Sequence, residues 1–187
     1  ESMKSNNMDI VKQNMLMTSE LLKVMKLLEE NGIEAISFKG PVLSQMAYGD
    51  IVSRQYVDLD ILVDEKDIEK TINLLLQNNY NSILSPKITK NKTYLNSIKD
   101  FLLVNKKNSI NIELHWRLFE KKYQLKIGKL KRKAFKIKNQ NINTLSNESN
   151  LVYLCIHGSK HMWERIEWIV DIDRLLKKEK IDWDIVL

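Results

Sequence analysis

Two pairs of aspartates in the chain share the spelling Asp-x-Asp and are candidates for acidic chemistry. Asp58 and Asp60 lie in the apolar stretch "VDLDILV", which is typical of a central strand. Side chains alternate along a strand, so both carboxylates would point to the same side, with Cα atoms roughly 6.5–7 Å apart. Buried carboxylates repel each other and are costly to desolvate, and a divalent cation offsets both penalties. We therefore predict a Mg²⁺ site here; the alternative is a surface strand with both acids facing water.

The second pair, Asp171 and Asp173 in "WIVDIDRLL", lies in a helical pattern. Residues two apart on a helix point roughly 200° apart, so these two carboxylates cannot share a ligand. We expect one acid on the helix surface and the other paired or at the edge of the core.

A third acid completes the first site if two strands are neighbours. Glu113 and His115 share one face of the predicted strand "INIELHW". Beside residues 57–63, Glu113 would join Asp58 and Asp60, and three carboxylates on adjacent strands suit a two-metal centre for phosphoryl or nucleotidyl transfer. For His115, the residues leave open a hydrogen-bonding or a catalytic role.

The predicted elements divide the chain into an α/β part, residues 1–118, and a helical part, residues 119–187. Apolar spacing predicts a long helix, single or broken near Thr18, that ends at Gly32. Asp182 resembles an N-cap close to the last residue, which suggests a longer protein. The other predictions are strands at 34–40 and 57–63, helices at 41–48 and 64–80, a β-rich section at 81–115, and helices at 148–161 and 163–178.

Composition restricts the function classes. The 187 residues are 43% hydrophobic and 29% charged, as in a soluble globular protein. A single cysteine, Cys155, excludes an internal disulfide and fits the cytoplasm, and with three histidines a structural zinc site is not expected. We expect no membrane span. The net charge of +6 is concentrated in residues 120–139, which form either a solvated face or a surface for phosphates, nucleic acid or an acidic partner.

The order of these motifs resembles a known superfamily. A strand ending in Lys-Gly, a short helix, Arg-x₃-Asp-x-Asp on a second strand and a later acid resemble the DNA-polymerase-β-like nucleotidyltransferases. "SFKGPVLSQMAYGD", "RQYVDLDILVDEKDIEKTINLL", "IELHWRL" and "LCIHGSKHMWERIEWIVDIDRLL" more closely resemble the bacterial family described as uncharacterised nucleotidyltransferases. The resemblance implies an α+β fold: a palm-like mixed sheet flanked by helices, followed by a helical C-terminal part.

The resemblance also implies roles for individual residues. Gly40 would line the nucleotide triphosphate, since glycine permits close backbone approach. Pro41 departs from the usual Gly-Ser or Gly-Gly and removes an N–H donor. Lys39 and Arg54 are candidate phosphate-facing cations, with a structural salt bridge as the alternative for each. We count His115 with these nucleotide-binding candidates.

The C-terminal motif contributes further candidates. Asp171 matches the family's helical motif and is a candidate general base facing the acceptor. His157 and His161, four residues apart on one helical face, are expected to be structural or substrate-facing. Trp163 and Trp168 are expected to pack between helices, with base stacking as the alternative.

The sequence thus predicts an enzyme that moves a nucleoside monophosphate from an NTP to an acceptor and releases pyrophosphate. ATP is the expected substrate, with two Mg²⁺ ions, or Mn²⁺, on Asp58, Asp60 and Glu113. The acceptor would be a small molecule, a peptide or a protein. The alternatives are a non-catalytic, antitoxin-like partner-binding module on the same fold and a basic nucleic-acid-binding protein.

Overall fold

A five-stranded mixed sheet forms the centre of the structure. The structure is a computed structural model that describes residues 2–82, 84–85, 91–119 and 131–186. The strand order is β1-β2-β5-β4-β3; β2 runs parallel to β5, and the other neighbours are antiparallel. The strands are β1 (Ala35–Ser37), β2 (Asp58–Val63), β3 (Tyr80–Asn81), β4 (Asp100–Asn105) and β5 (Asn111–His115).

Helices flank this sheet, as the α+β prediction requires. The long N-terminal helix is one continuous element whose buried residues, Met17, Leu21, Val24 and Leu28, recur every three or four positions. No helix among the described residues is long and apolar enough to cross a membrane. The helices are α1 (Ser2–Glu30), α2 (Gly40–Leu43), α3 (Ile68–Gln77), α4 (Lys92–Ser97), α5 (Asn147–Lys160), α6 (Ile166–Lys178) and α7 (Trp183–Val186).

Strand β2 has neighbours on both sides in the sheet and is buried on one face and partly buried on the other. Leu59 and Ile61 are fully buried on one face, and Asp60 is buried on the other. This confirms that the first acidic pair lies in a core strand rather than on a surface strand.

Two elements differ from the sequence predictions. The β-rich section contains the short helix α4, and the segment predicted to be helical after residue 119 contains a β-hairpin of β6 (Arg132–Ile137) and β7 (Gln140–Leu145). The hairpin turns at Lys138, whose φ is 52°, and β7 lies against β1. The burial of Ile137 and Ile142 in this hairpin therefore prevails over the weak local sequence signal. The division at residue 118 stays a prediction.

The C-terminal helices follow the predicted signals. The Ser146 hydroxyl accepts a hydrogen bond from the backbone N–H of Ser149 and caps α5. The Asp182 carboxylate accepts one from the N–H of Asp184 at the start of α7. Helix α6 packs against both α5 and the π-helical turn Ser44–Tyr48 that continues α2. This packing brings the C-terminal motif to the edge of the sheet that carries the acids.

Candidate active site

The two central strands bring together an acidic cluster. Asp60 lies opposite Glu113 in the parallel pairing of β2 and β5, as the sequence predicted. Asp60, Glu113 and His115 each offer a ligand atom, and these atoms lie within 4.8 Å of one another. Asp60 is completely buried, whereas 37% of the Glu113 side chain is exposed. The cluster therefore extends from the core to the protein surface.

Asp58 and Asp60 differ in burial, a difference that strand alternation alone did not predict. Asp58 is only partly buried and lies on the wall of a cavity with Glu113, outside the group of three ligand atoms. Burial, and then the negative charges of Asp60 and Glu113, raise the pKa of Asp58. The three carboxylates are thus close enough to repel one another, as the predicted site requires.

Asp60 is held in place by two side chains. Lys39 Nζ donates to Asp60 Oδ1 at 3.0 Å, and His115 Nε2 lies 3.0 Å from the same oxygen. Burial alone would raise the pKa of Asp60, but the charge of Lys39 and the hydrogen bond with His115 hold it well below its usual range. The other oxygen, Oδ2, is buried and has no hydrogen-bond partner among the residues that the structure describes. Asp60 is therefore an ionised carboxylate with one acceptor atom that no described group engages.

Both partners of Asp60 favour the cationic form. Burial would lower the pKa of Lys39, but Asp60 and Tyr153 raise it above its ordinary value. Burial would likewise lower the pKa of His115, and its hydrogen bonds with Asp60 and Glu113 raise it instead. The predicted alternative for Lys39, a salt bridge, is present, and the same side chain also lines the cavity.

Gly40 lies between the acidic strand and the cavity. Its φ is 52°, a left-handed conformation that glycine adopts without steric cost. A Cβ atom at this position would lie 3.3 Å from the backbone oxygen of Asp58. Glycine therefore lets the start of α2 approach β2 closely. The predicted contact between Gly40 and a triphosphate stays a prediction.

Arg54 and Asp171, which the sequence placed in different roles, form one buried ion pair. The Arg54 Nε atom donates to both Asp171 oxygens, at 2.9 and 3.0 Å, and the Tyr48 hydroxyl donates to Oδ1 at 2.8 Å. The Asp171 side chain is inaccessible, whereas Asp173 is half exposed and pairs with Lys177. The predicted contrast between these two acids is confirmed. The carboxylate of Asp171 is engaged by two donors, which favours positioning of Arg54 over proton abstraction.

One cavity of about 470 Å³ collects most of the candidate residues. Lys39, Gly40, Arg54, Asp58, Glu113 and Asp171 all line it. Asp60 and His115 lie behind this lining, with side chains 0% and 2% exposed. The cavity has the volume of a small-molecule binding site, and its lining includes charged groups of both signs.

The lining of the cavity also includes aromatic rings that the sequence only partly indicated. His157, His161 and Trp168 were singled out and lie there, whereas Phe119 and Tyr153 were missed. The signal for Tyr153 was its position four residues before His157, which places both on one face of α5.

The basic segment 120–139 is described only from residue 131 onward. In this part, Arg132 pairs with Glu34, and Lys133 Nζ lies 3.4 Å from Glu179 Oε2. Part of the charge of the described residues is thus neutralised within the fold, and the nucleic-acid alternative stays a hypothesis because residues 120–130 lie outside the described part of the chain.

Comparisons with known proteins assign the chain to a family. The family profile described as "Uncharacterised nucleotidyltransferase" matches residues 1–187. The chain belongs to this family. A search of curated proteins gave no match.

Solved structures show the same fold in other nucleotidyltransferases. A crystal structure of ANT(2″)-Ia in complex with adenylyl-2″-tobramycin superposes with a TM-score of 0.62 at 10% identity, covering 89% of this chain and 88% of that one. Lincomycin-bound LnuA, a lincosamide antibiotic adenylyltransferase, gives 0.61 at 15% identity, covering 86% and 97%. An antigenic nucleotidyltransferase-like protein from Paracoccidioides brasiliensis gives 0.58 at 16% identity, covering 86% and 75%. At such identities the likeness establishes the fold alone.

Proposed function

We propose that this member of the family is a metal-dependent enzyme that moves a nucleoside monophosphate from an NTP to an acceptor and releases pyrophosphate. The observation that carries the proposal is the pairing of Asp60 with Glu113 across β2 and β5, beside Asp58 on the cavity wall. ATP is the first substrate to test, because the names of two structural neighbours refer to an adenylyl group.

The acidic cluster fits a divalent cation. Asp60 Oδ2 is buried with no hydrogen-bond partner in the described part of the chain, and the raised pKa of Asp58, caused by burial and then by neighbouring carboxylates, reflects repulsion that a cation relieves. Asp58, Asp60 and Glu113 would hold two Mg²⁺ ions, or Mn²⁺, through oxygen atoms. When bound, such ions activate an attacking oxygen and neutralise the leaving pyrophosphate.

The remaining residues orient the site and the triphosphate. Lys39 and His115 hold the Asp60 carboxylate through contacts with Oδ1, and these contacts fix the orientation of Oδ2. Gly40 and Lys39 lie at the cavity surface, where they can face phosphate oxygens. Asp171, in place of its predicted role as general base, holds the Arg54 guanidinium toward the same cavity.

The acceptor is proposed to be a small hydroxylated molecule. The cavity volume of about 470 Å³ suits such a ligand, and the names of two structural neighbours mention tobramycin and lincomycin. A peptide or a protein side chain is the alternative acceptor.

Pyrophosphate release tests this function directly. The protein would be incubated with Mg²⁺, each NTP in turn and a panel of hydroxylated compounds, and products would be searched by mass spectrometry for an added nucleoside monophosphate. We expect pyrophosphate and an adduct from wild type and from the surface control Asp173→Asn. The double variant Asp58→Asn with Asp60→Asn should give neither, and equal release by this variant would exclude the proposed metal site.

A further inference from the structure

An aromatic surface covers one side of the cavity and has no part in the proposed metal chemistry. It consists of Phe119, Tyr153, His157, His161 and Trp168, which we call the aromatic wall. Phe119 and Tyr153 stack at 5.7 Å between ring centroids, and Tyr153 and His157 stack at 5.8 Å. The rings of His157 and Trp168 meet edge-on with centroids 5.0 Å apart, and the rings of His157 and His161 are tilted with centroids 4.9 Å apart. The rings thus form one continuous surface.

The geometry of the wall is built into the backbone. Met162 and Trp163, between α5 and α6, have φ angles of 51° and 55°, a conformation that costs non-glycine residues energy. The Trp163 ring packs on Gly158 so closely that a Cβ atom there would lie 2.2 Å from it. Backbone strain of this kind persists only where packing determines it, and it clusters at functional sites. This turn sets the positions of His161 and Trp168.

The wall presents an uncharged imidazole at neutral pH. Burial, with the positive charges of Lys39 and His161 as smaller causes, lowers the pKa of His157 to about 3. A neutral ring offers a flat face for stacking and needs no counter-ion. The wall therefore suits a planar, uncharged group.

One end of the wall meets Lys39, one of the two candidate phosphate-facing cations. Lys39 Nζ lies 5.5 Å from the centroid of the Tyr153 ring while it also pairs with Asp60. Trp168 lies further from Lys39 along the wall, since Tyr153 contacts His157 and His157 in turn contacts Trp168. A ligand that spans this surface has a polyanionic group at one end and a flat ring at the other. Nucleoside triphosphates have this construction.

We propose that the aromatic wall binds the base of the nucleoside triphosphate, with Trp168 as its principal stacking residue. This inference rests on the proposed function and adds to it the part of the cavity that receives the base. The acceptor would then occupy the remaining space. Stacking recognises any base, so the wall contributes affinity more than base selectivity.

A comparison of two ligands distinguishes the contribution of the base to binding from that of the phosphates. Calorimetry would measure the binding of ATP and of inorganic tripolyphosphate, each with Mg²⁺, to wild type, Trp168→Leu and Trp168→Phe. The control is Trp183→Leu, because Trp183 is 53% exposed and does not line the cavity. Stacking of one base predicts that Trp168→Leu weakens ATP binding by about 5- to 100-fold, while Trp168→Phe retains most of it. Tripolyphosphate should bind all four proteins equally.

The outcomes distinguish the two proposals. Wild type that binds both ligands, with Trp168→Leu unchanged toward ATP or weakened equally toward both, would overturn the stacking assignment alone. Wild type that binds neither ligand would overturn the proposed function and this inference together.

Discussion

At the residue scale, the two Asp-x-Asp motifs lie in two different environments. Asp58 and Asp60 occupy a central strand, with one carboxylate at the cavity and one beneath it. Asp171 is buried in an ion pair, and Asp173 is exposed. Helix and strand geometry predicted this contrast from the sequence. The partners were not predictable, because Lys39 and Arg54 reach their acids through tertiary packing between segments far apart in the chain.

The Arg54–Asp171 pair should contribute measurably to stability. Asp171→Ala leaves a largely buried guanidinium without its partner, so we expect the free energy of unfolding to fall by about 3–5 kcal/mol. The matched variant Asp173→Ala removes only an exposed i, i+4 pair and should cost about 0.3–0.5 kcal/mol. Urea denaturation followed by circular dichroism measures both. Equal costs would contradict the assignment of Asp171 as a buried positioning residue.

The neutral His157 should make the protein sensitive to acid. The pKa of His157 in the folded protein, about 3, lies below the ordinary value of 6.5. At a pH between these two values, His157 is protonated in the unfolded chain and neutral in the folded protein. The free energy of unfolding therefore falls as the pH decreases below about 6.5. His157→Gln should show a smaller loss between pH 7 and pH 5 in urea titrations. His115 has a shift of opposite sign, which is common to both proteins and cancels in the difference. Parallel pH profiles would refute a neutral, buried His157.

At the element scale, strong periodicity and capping signals gave reliable predictions. The long helix α1, the strand β2 and the capped α5 follow from apolar spacing and from Ser146, whereas the spacing left open whether α1 is broken near Thr18. The hairpin β6–β7 was missed because its strands alternate weakly and are rich in lysine and asparagine. The break between α5 and α6 was predicted, but the left-handed conformation of its residues was not, since these are methionine and tryptophan rather than glycine.

The start of α2 should depend on glycine for two separate reasons. Gly40 and Gly32 have similar φ angles, 52° and 66°, but only a Cβ at Gly40 would meet the backbone of β2. Gly32→Ala should cost about 1 kcal/mol for the left-handed conformation. Gly40→Ala should cost at least about 1 kcal/mol more, because of overpacking against Asp58. Thermal and urea unfolding of the two variants provide the comparison, and a smaller cost at Gly40 would show that α2 can move away from β2.

At the scale of the whole molecule, the mixed sheet and the C-terminal helices assemble one cavity from three distant parts of the chain. β2 and β5 supply the acids, and the lysine–glycine pair at the start of α2 lines the cavity beside them. α5 and α6 supply most of the rings and Asp171. The acidic site could be predicted because strand alternation restricts where carboxylates point. The aromatic wall could not be assembled in the same way, because the relative placement of α5 and α6 depends on the packing of α6 against the turn Ser44–Tyr48.

Calorimetric titration of ATP, with and without Mg²⁺, tests the central claim most directly. The proteins would be wild type, Glu113→Gln and the surface control Asp173→Asn. We expect Glu113→Gln to fold, because the Glu113 side chain is partly exposed. The account predicts saturable binding to wild type and to the control that requires Mg²⁺, and binding to Glu113→Gln weakened at least about tenfold. Binding that is independent of Mg²⁺, or equal in wild type and Glu113→Gln, would contradict a nucleotide site organised by metal ions on β2 and β5.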